Sequence, residues 1–408
     1  MTTLSSDSVL RRTADAAEHV SGICFKTGPP RQVGVELEWT THHQDQPAAL
    51  LRPSDLSRAL GRHSPTVLGN PDPEPLPGGG SVTLEPGGQV EISSAPADSL
   101  AALYTAVSGD QLHLTDLLAR GGIALGERGL DPHREPVRIL DTPRYQAMEQ
   151  SFDQAGTPSG HIMMRSTAGL QVCLDAGTEE QFRTRWAAVH ELGPALLALF
   201  ATSRMRQGRD TGWASGRMAA WYGMDPRRTG QVPQGDDPRE DWARYALAAP
   251  LLCVRQRGST WQVPDGVTFA DWINGALKRP PTVDDLDYHL STLFPPVRPR
   301  GYLEIRYLDA QPGLEWIAPA AVLVALFSDD TLTDAARDAA APAAGRWVAA
   351  ARDGLAEPAV ARAAADLADL AGRCLDRTGL PQAVQETVTG IVDRRLHGAG
   401  QPRKDLLR

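Results

Sequence analysis

Four short segments of this chain put acids and amides on one side and aliphatics on the other. In Val33-Gly34-Val35-Glu36-Leu37-Glu38-Trp39 the side chains of an extended backbone alternate, so Glu36 and Glu38 share a face opposite Val33, Val35, Leu37 and Trp39. In Ser81 to Ser93 the residues Thr83, Glu85, Gln89 and Glu91 oppose Val82, Leu84, Val90 and Ile92. That phase survives only if Pro86-Gly87-Gly88 forms a three-residue turn pairing Glu85 with Gln89, with a glycine in the left-handed position. A two-residue turn would set Glu85 beside Val90 and scramble both faces. Leu170 to Asp175 repeats the pattern with Gln171, Cys173 and Asp175, and Gly301 to Tyr307 repeats it with Glu304 and Arg306.

Any one of these strands reads as the solvated side of an antiparallel sheet. Together they favour a different chemistry, because solvated faces mix basic residues with glutamate to keep like charges apart. The first two segments carry Glu36, Glu38, Glu85 and Glu91 and no lysine. Gathered carboxylates need neutralising, and divalent cations with oxygen ligands do this; magnesium usually brings substrate phosphates with it. The pattern points to a metal–nucleotide floor, with Arg306 as counter-charge or phosphate contact.

Other candidates carry less. Pro77-Gly78-Gly79-Gly80-Ser81 offers backbone amides, but no Gly-Lys-Ser/Thr follows, so an ordinary turn is expected rather than a P-loop. His42-His43 is expected at a strand end, facing solvent. Arg204-Met205-Arg206 complements a helix C-terminus or reaches toward anions. No Gly-x-Ser-x-Gly elbow is present, and Cys173 has no neighbouring histidine to activate it.

The elements that must position the floor follow from caps and breakers. A helical preface occupies the first twenty or so residues. Asp98 is placed to cap a helix running to Arg120 and stopping at Gly121-Gly122, Pro143 opens a helix through Gln154, and Thr178 with Gln181 forms a capping box for a helix to about Arg206. Asn70 to Gly80 is loop, and an Ala-rich helical tail is broken at Pro342, Pro358 and Pro381. Strands early and helices late give an α+β chain. The 408 residues carry 41 Lys+Arg against 50 Asp+Glu, a net charge of −9 without a basic block, which argues against nucleic acid as the main partner. The most apolar stretch, Ala318 to Phe327, is about half a membrane span, no signal-type N-terminus is seen, and the four cysteines are scattered. A cytoplasmic protein, monomeric or a small homo-oligomer, is expected.

Five motifs in order, GVELEW (Gly34 to Trp39), GGSVTLEPGGQVEISSAP (Gly79 to Pro96), MMRSTAGLQVCLD (Met163 to Asp175), WYGMDPRRTG (Trp221 to Gly230) and YLEIRYLD (Tyr302 to Asp309), resemble the plant-type glutamate–cysteine ligase family, most closely its bacterial ergothioneine-pathway branch. The resemblance spans roughly Gln32 to Pro312. It implies a curved, glutamine-synthetase-like antiparallel sheet wrapped by helices, with 1–312 as the catalytic domain and 313–408 as a helical region packed on it. It implies a reaction in which ATP phosphorylates the γ-carboxylate of glutamate and the amine of cysteine displaces the phosphate, with Mg2+ as cofactor. Small molecules (glutamate, cysteine and ATP) are then the partners. Carried over, Glu36, Glu38, Glu85, Glu91 and Glu304 match metal-and-substrate acids. Arg306 and Arg165 match contacts to phosphate or a substrate carboxylate, and Gln171 a polar residue of the floor. Trp221 and Arg227 fall in the W…DPxRTG loop, as substrate- or ATP-binding candidates without an assigned task. Many relatives have asparagine where this chain has Cys173, a departure that bears on substrate detail. A ligase with another amine acceptor, or a non-catalytic relative, are the alternatives.

Overall fold

The computed structural model describes residues 5–398 except 257 and 259. Ten strands are found among the described residues: β1 Val33–Trp39, β2 Thr41–His43, β3 Ser81–Leu84, β4 Val90–Ser93, β5 Ile123–Leu125, β6 Gly169–Leu174, β7 Met205–Arg206, β8 Arg209–Asp210, β9 Val297–Pro299 and β10 Leu303–Asp309. Six of them form one sheet in the order β3-β4-β1-β6-β10-β9, antiparallel at every pairing. With its surrounding helices this is the expected α+β architecture.

The turn between β3 and β4 is the three-residue one. Glu85 N–H donates to Gln89 O at 2.9 Å and Gly88 takes φ 84°, a conformation that favours glycine. The register therefore keeps Thr83 opposite Glu91, Glu91 opposite Glu38 and Glu36 opposite Gln171. A bulge between Ile305 and Leu308 shifts the register of β10 on β6.

The apolar face is buried along its length, from Val35, Leu37 and Trp39 to Val90, Ile92, Val172 and Ile305. Helix Leu100–Arg120 packs on β1 and buries Leu103, Val107, Leu114 and Leu118 at helical spacing; each such side chain contributes about 1.5–3 kcal/mol. Its cap is Ser99, whose hydroxyl accepts from Ala102 N–H at 3.2 Å, one residue later than Asp98. Pro143–Gln154 is helical as expected.

The helix after Thr178 departs from expectation. It runs Phe182–Glu191, breaks at Gly193-Pro194, where proline has no N–H to donate, and ends at Leu199. Arg204 lies beyond that end, and Met205 and Arg206 lie in the β7–β8 hairpin, so none of them closes a helix terminus. His42 is also corrected: it is buried, bonded to Thr40 Oγ1 at 2.8 Å and set edge-on to His133, because β2 pairs with β5 rather than ending in solvent.

The apolar helix Ile317–Leu326 is a core element. The helices Asp330–Ala340, Trp347–Asp353 and Pro358–Gly372 pack on Phe182–Glu191 or Gly193–Leu199, and Gln382–Gly398 packs on Ile317–Leu326. Residues 399–408 of the expected C-terminal region lie outside the described residues. No single helix among the described residues is long and apolar enough to cross a membrane.

Candidate active site

The polar face of the sheet gathers three acids closely. One carboxylate oxygen from each of Glu38, Glu85 and Glu91 lies within 4.8 Å of the other two. Cross-strand pairing puts Glu38 beside Glu91, and the turn swings Glu85 in from the end of β3. Glu91 Oε1 accepts from Thr83 Oγ1 at 2.7 Å and Ser93 Oγ at 3.0 Å, and Glu38 Oε2 accepts from Gly169 N–H at 2.6 Å. Among the described residues none of the three has a cationic partner within 4 Å.

The electrostatic consequence is large. Burial first, and then a neighbouring carboxylate, push the carboxyls of Glu38, Glu85 and Glu91 up to about 7: Glu38 is raised by Glu85, Glu85 by Glu91 and Glu91 by Glu38. Glu36, one row along β1, is pushed to about 7 by burial and then by Glu91 and Glu304. Three clustered oxygen donors that resist ionisation on their own suit a hard divalent cation such as Mg2+.

Glu304 lies on this face but in a different company. It is fully buried, with Arg298 Nε at 2.6 Å, Arg306 Nη1 at 2.8 Å and Arg300 Nη1 at 3.3 Å. Burial alone would raise its carboxyl, but Arg298, Arg306 and Arg300 outweigh it and hold the group at about 2. Arg306 Nη1 also donates to Gln171 Oε1 at 2.5 Å. Glu304 thus sits among guanidinium groups, whereas the acid cluster is Glu38, Glu85 and Glu91.

The other expected residues are placed differently. Arg165 is not brought to the acids; its guanidinium binds Glu149 of helix Pro143–Gln154 and donates to Pro136 O at 3.0 Å. Trp221 is buried, donates to Phe294 O at 3.2 Å and lies 4.6 Å from the Arg217 guanidinium, which stacks on its ring. Arg227 is more than half exposed, and its polar contacts are all to Asp225 two residues before it. The amides of Gly78 and Gly80 are taken by the Asp110 carboxylate at 2.5 and 2.9 Å, so that loop is an ordinary turn.

Two arginines that strand phase did not find flank the acids. Arg217 is buried and donates to Arg306 O at 2.9 Å; it packs so tightly on Gly169 that a Cβ there would lie 2.6 Å from its Nη2. Gly169 N–H holds Glu38, which places Arg217 next to that acid. Arg144 donates to Tyr288 Oη at 2.9 Å and Ser291 O at 3.3 Å and acts electrostatically on Glu85. Neither has a carboxylate within 4 Å among the described residues. One signal was available: Arg144 stands in the first turn of its helix, where a cation opposes the macrodipole. Arg217 offers none, since its helix is only Gly216–Tyr222.

Residues 32–406 match the family described as Glutamate-cysteine ligase family 2 (GCS2). The chain is 44% identical over 353 residues to the glutamate–cysteine ligase EgtA of Mycobacterium tuberculosis (strain ATCC 25618 / H37Rv), covering 84% of this chain and 79% of that protein. It is 32% identical over 282 residues to the chloroplastic glutamate–cysteine ligase of Arabidopsis thaliana, covering 67% of this chain and 53% of that protein. In fold it is similar to the crystal structure of a glutamate–cysteine ligase (gshA) from Francisella tularensis in complex with AMP, with a TM-score of 0.54 at 13% identity over 93% of this chain and 84% of that one. A buried acidic sheet face and these likenesses lead to one statement: the chain belongs to glutamate–cysteine ligase family 2.

Proposed function

We propose that this enzyme joins the γ-carboxylate of L-glutamate to the amine of L-cysteine with cleavage of ATP to ADP and phosphate, supplying γ-glutamylcysteine for ergothioneine synthesis. The observation that carries the reading is the cluster of Glu38, Glu85 and Glu91 beside Arg217 and Arg144, which have no carboxylate within 4 Å among the described residues, in a chain of this family. Glu38, Glu85 and Glu91 would hold Mg2+, with Glu36 the nearest further acid. The ion would neutralise the polyphosphate and the oxygens of the transferred phosphoryl group.

The protein's own residues have a positioning task. A glutamate γ-carboxylate oxygen attacks the terminal phosphorus of ATP, ADP departs, and γ-glutamyl phosphate results. The cysteine amine then attacks the γ-carbonyl carbon, phosphate leaves, and the nitrogen loses a proton. Neither step uses a protein nucleophile, so orientation and charge neutralisation do the catalysis. Arg217 and Arg144, which have no carboxylate within 4 Å among the described residues, would supply positive charge to anionic groups of glutamate or phosphate beside the acids. Arg306 presents a guanidinium whose Nη1 is fixed by donating to both Glu304 and Gln171. The buried setting strengthens each of these contacts.

ADP release measured with glutamate and a panel of amines tests the acceptor. Cysteine is expected to give at least tenfold higher kcat/KM than alanine, serine or 2-aminobutyrate. Equal rates across the panel would make the acceptor something other than cysteine.

A further inference from the structure

Between helix Val283–Leu290 and β9 lies the short segment Ser291-Thr292-Leu293-Phe294, and each of its carbonyls is taken by a side chain from elsewhere in the fold. Ser291 O accepts from Arg144 Nη2 at 3.3 Å, Thr292 O from Arg228 Nη1 at 2.6 Å, Leu293 O from Arg298 Nη1 at 3.2 Å and Phe294 O from Trp221 Nε1 at 3.2 Å. A segment just past a helix end has no ladder to occupy its carbonyls, so they are open to partners brought by tertiary packing. Pro295 and Pro296 follow, with fixed φ and no N–H of their own, and Pro296 O accepts the Arg306 N–H at 2.9 Å.

Three of those side chains lead to the acidic face. The charge of Arg144 acts on Glu85, Arg298 Nε donates to Glu304 at 2.6 Å, and Trp221 lies against Arg217, whose charge acts on Glu38. The fourth, Arg228, does not reach that face. It is the buried member of the tandem pair Arg227-Arg228, and among the described residues it has no carboxylate within 4 Å. Its Nη1 also donates to Thr292 Oγ1 at 3.0 Å, its Nη2 donates to Pro250 O, and its own carbonyl accepts the Phe294 N–H at 2.9 Å. An apolar side chain would fill the same volume without burying a charge. What the guanidinium adds is a planar fork that ties the segment to Pro250 through two nitrogens.

We propose that Arg228 is a positioning residue for the reaction: it pins segment 291–294, and that segment sets where Arg144, Arg298 and the Trp221–Arg217 stack stand around the acids. This rests on the ATP-dependent reading above. Arg228→Lys in the full-length protein tests it, since lysine keeps the charge but has one nitrogen where the fork uses two. Unfolding of some molecules lowers kcat and leaves KM as it was, whereas displaced arginines weaken the hold on anionic substrates in every molecule. KM for glutamate and for ATP is therefore expected to rise at least threefold, and kcat/KM for each to fall at least tenfold. Parent-like KM values with only kcat reduced, or no change at all, overturn the proposal. Calorimetry with ATP and Mg2+, without amino acids, separates this from failure of the ligase reading. Kd for ATP is expected to rise at least threefold in Arg228→Lys even if no amine supports turnover; equal Kd in parent and variant refutes the role of Arg228, and no ATP binding to the parent overturns the reading and the proposal with it. Should Arg228→Lys not fold, Trp221→Phe serves, because it keeps a ring against Arg217 and removes the N–H donated to Phe294 O. KM for glutamate is expected to rise at least threefold in it, and an unchanged value contradicts the proposal.

Discussion

Glu304→Gln removes the only carboxylate within 4 Å, among the described residues, of three arginines: Arg298, Arg300 and Arg306. The magnitude follows from the carboxyl itself. A group held at about 2 rather than its ordinary 4.5 contributes about 3 kcal/mol to folding at neutral pH. Arg298 is pushed down by the same burial, which offsets part of this. Substitution nevertheless leaves three guanidinium groups with no carboxylate within 4 Å among the described residues, and breaking a buried pair costs about 3–5 kcal/mol. We expect Glu304→Gln to lose about 3 kcal/mol at pH 7, read as a lowered urea midpoint and a melting temperature several degrees below the parent. The sign with pH is fixed: a depressed carboxyl contributes above its ordinary value of 4.5 and loses that contribution as pH falls toward 2. The gap between parent and variant should therefore be full at pH 7 and narrow below pH 4.5. Thermal unfolding at pH 7 and in acid, each with EDTA and with Mg2+, reads all of this. A variant as stable as the parent in EDTA, and different only with Mg2+, would refute the reasoning and make Glu304 a metal ligand.

Glu38→Gln is expected to lower kcat at least about a hundredfold, the scale of removing a charge-stabilising group, with far-UV circular dichroism unchanged; substantial residual turnover would exclude Glu38 from the metal site. Without metal, the carboxyls of Glu36, Glu38, Glu85 and Glu91, raised from 4.5 to about 7, add stability at low pH that is lost as pH climbs through 7. The melting temperature in EDTA should accordingly drop between pH 5 and pH 8, and Mg2+ should raise it more at pH 8 than at pH 6; an equal metal effect at both would contradict the clustered acids. Gly169→Ala places a Cβ 2.6 Å from Arg217 Nη2, and that guanidinium cannot yield because Trp221 and Arg306 O hold it. We expect at least a tenfold loss of kcat/KM with both substrates saturable; parent-like kinetics would show that Arg217 need not sit where it does.

The sheet was legible in the sequence because strand periodicity is local. Alternation put Glu36, Glu38, Glu85 and Glu91 on one face, and Gly87-Gly88 allowed a turn that keeps both strands in phase. Alternation also gave Glu304 its correct face, but a face is not a position across the sheet. Glu304 is opposite Arg298 of β9, a three-residue edge strand ending in a proline that carries no periodic signal. Arg217 and Arg144 were hidden for a related reason: they reach the site from a seven-residue helix and from a helix N-terminus, and their neighbours Arg306 and Ser291 are distant in sequence. The break at Gly193-Pro194 was readable from proline chemistry, but the run Gly193–Leu199 after it is buried all round and so reads as a continuation of the same apolar helix. His42 was buried by pairing of β2 with a strand eighty residues on, a contact no local pattern announces.

The account is tested most directly by following oxygen. Glutamate labelled with 18O in its γ-carboxylate, incubated with cysteine, ATP and Mg2+, should deliver one labelled oxygen to each inorganic phosphate released, with one γ-glutamylcysteine formed per ADP. Glu38→Gln should deliver almost none. Phosphate free of label, or label transfer undiminished in Glu38→Gln, would contradict the claim that this acidic floor carries phosphoryl transfer to glutamate.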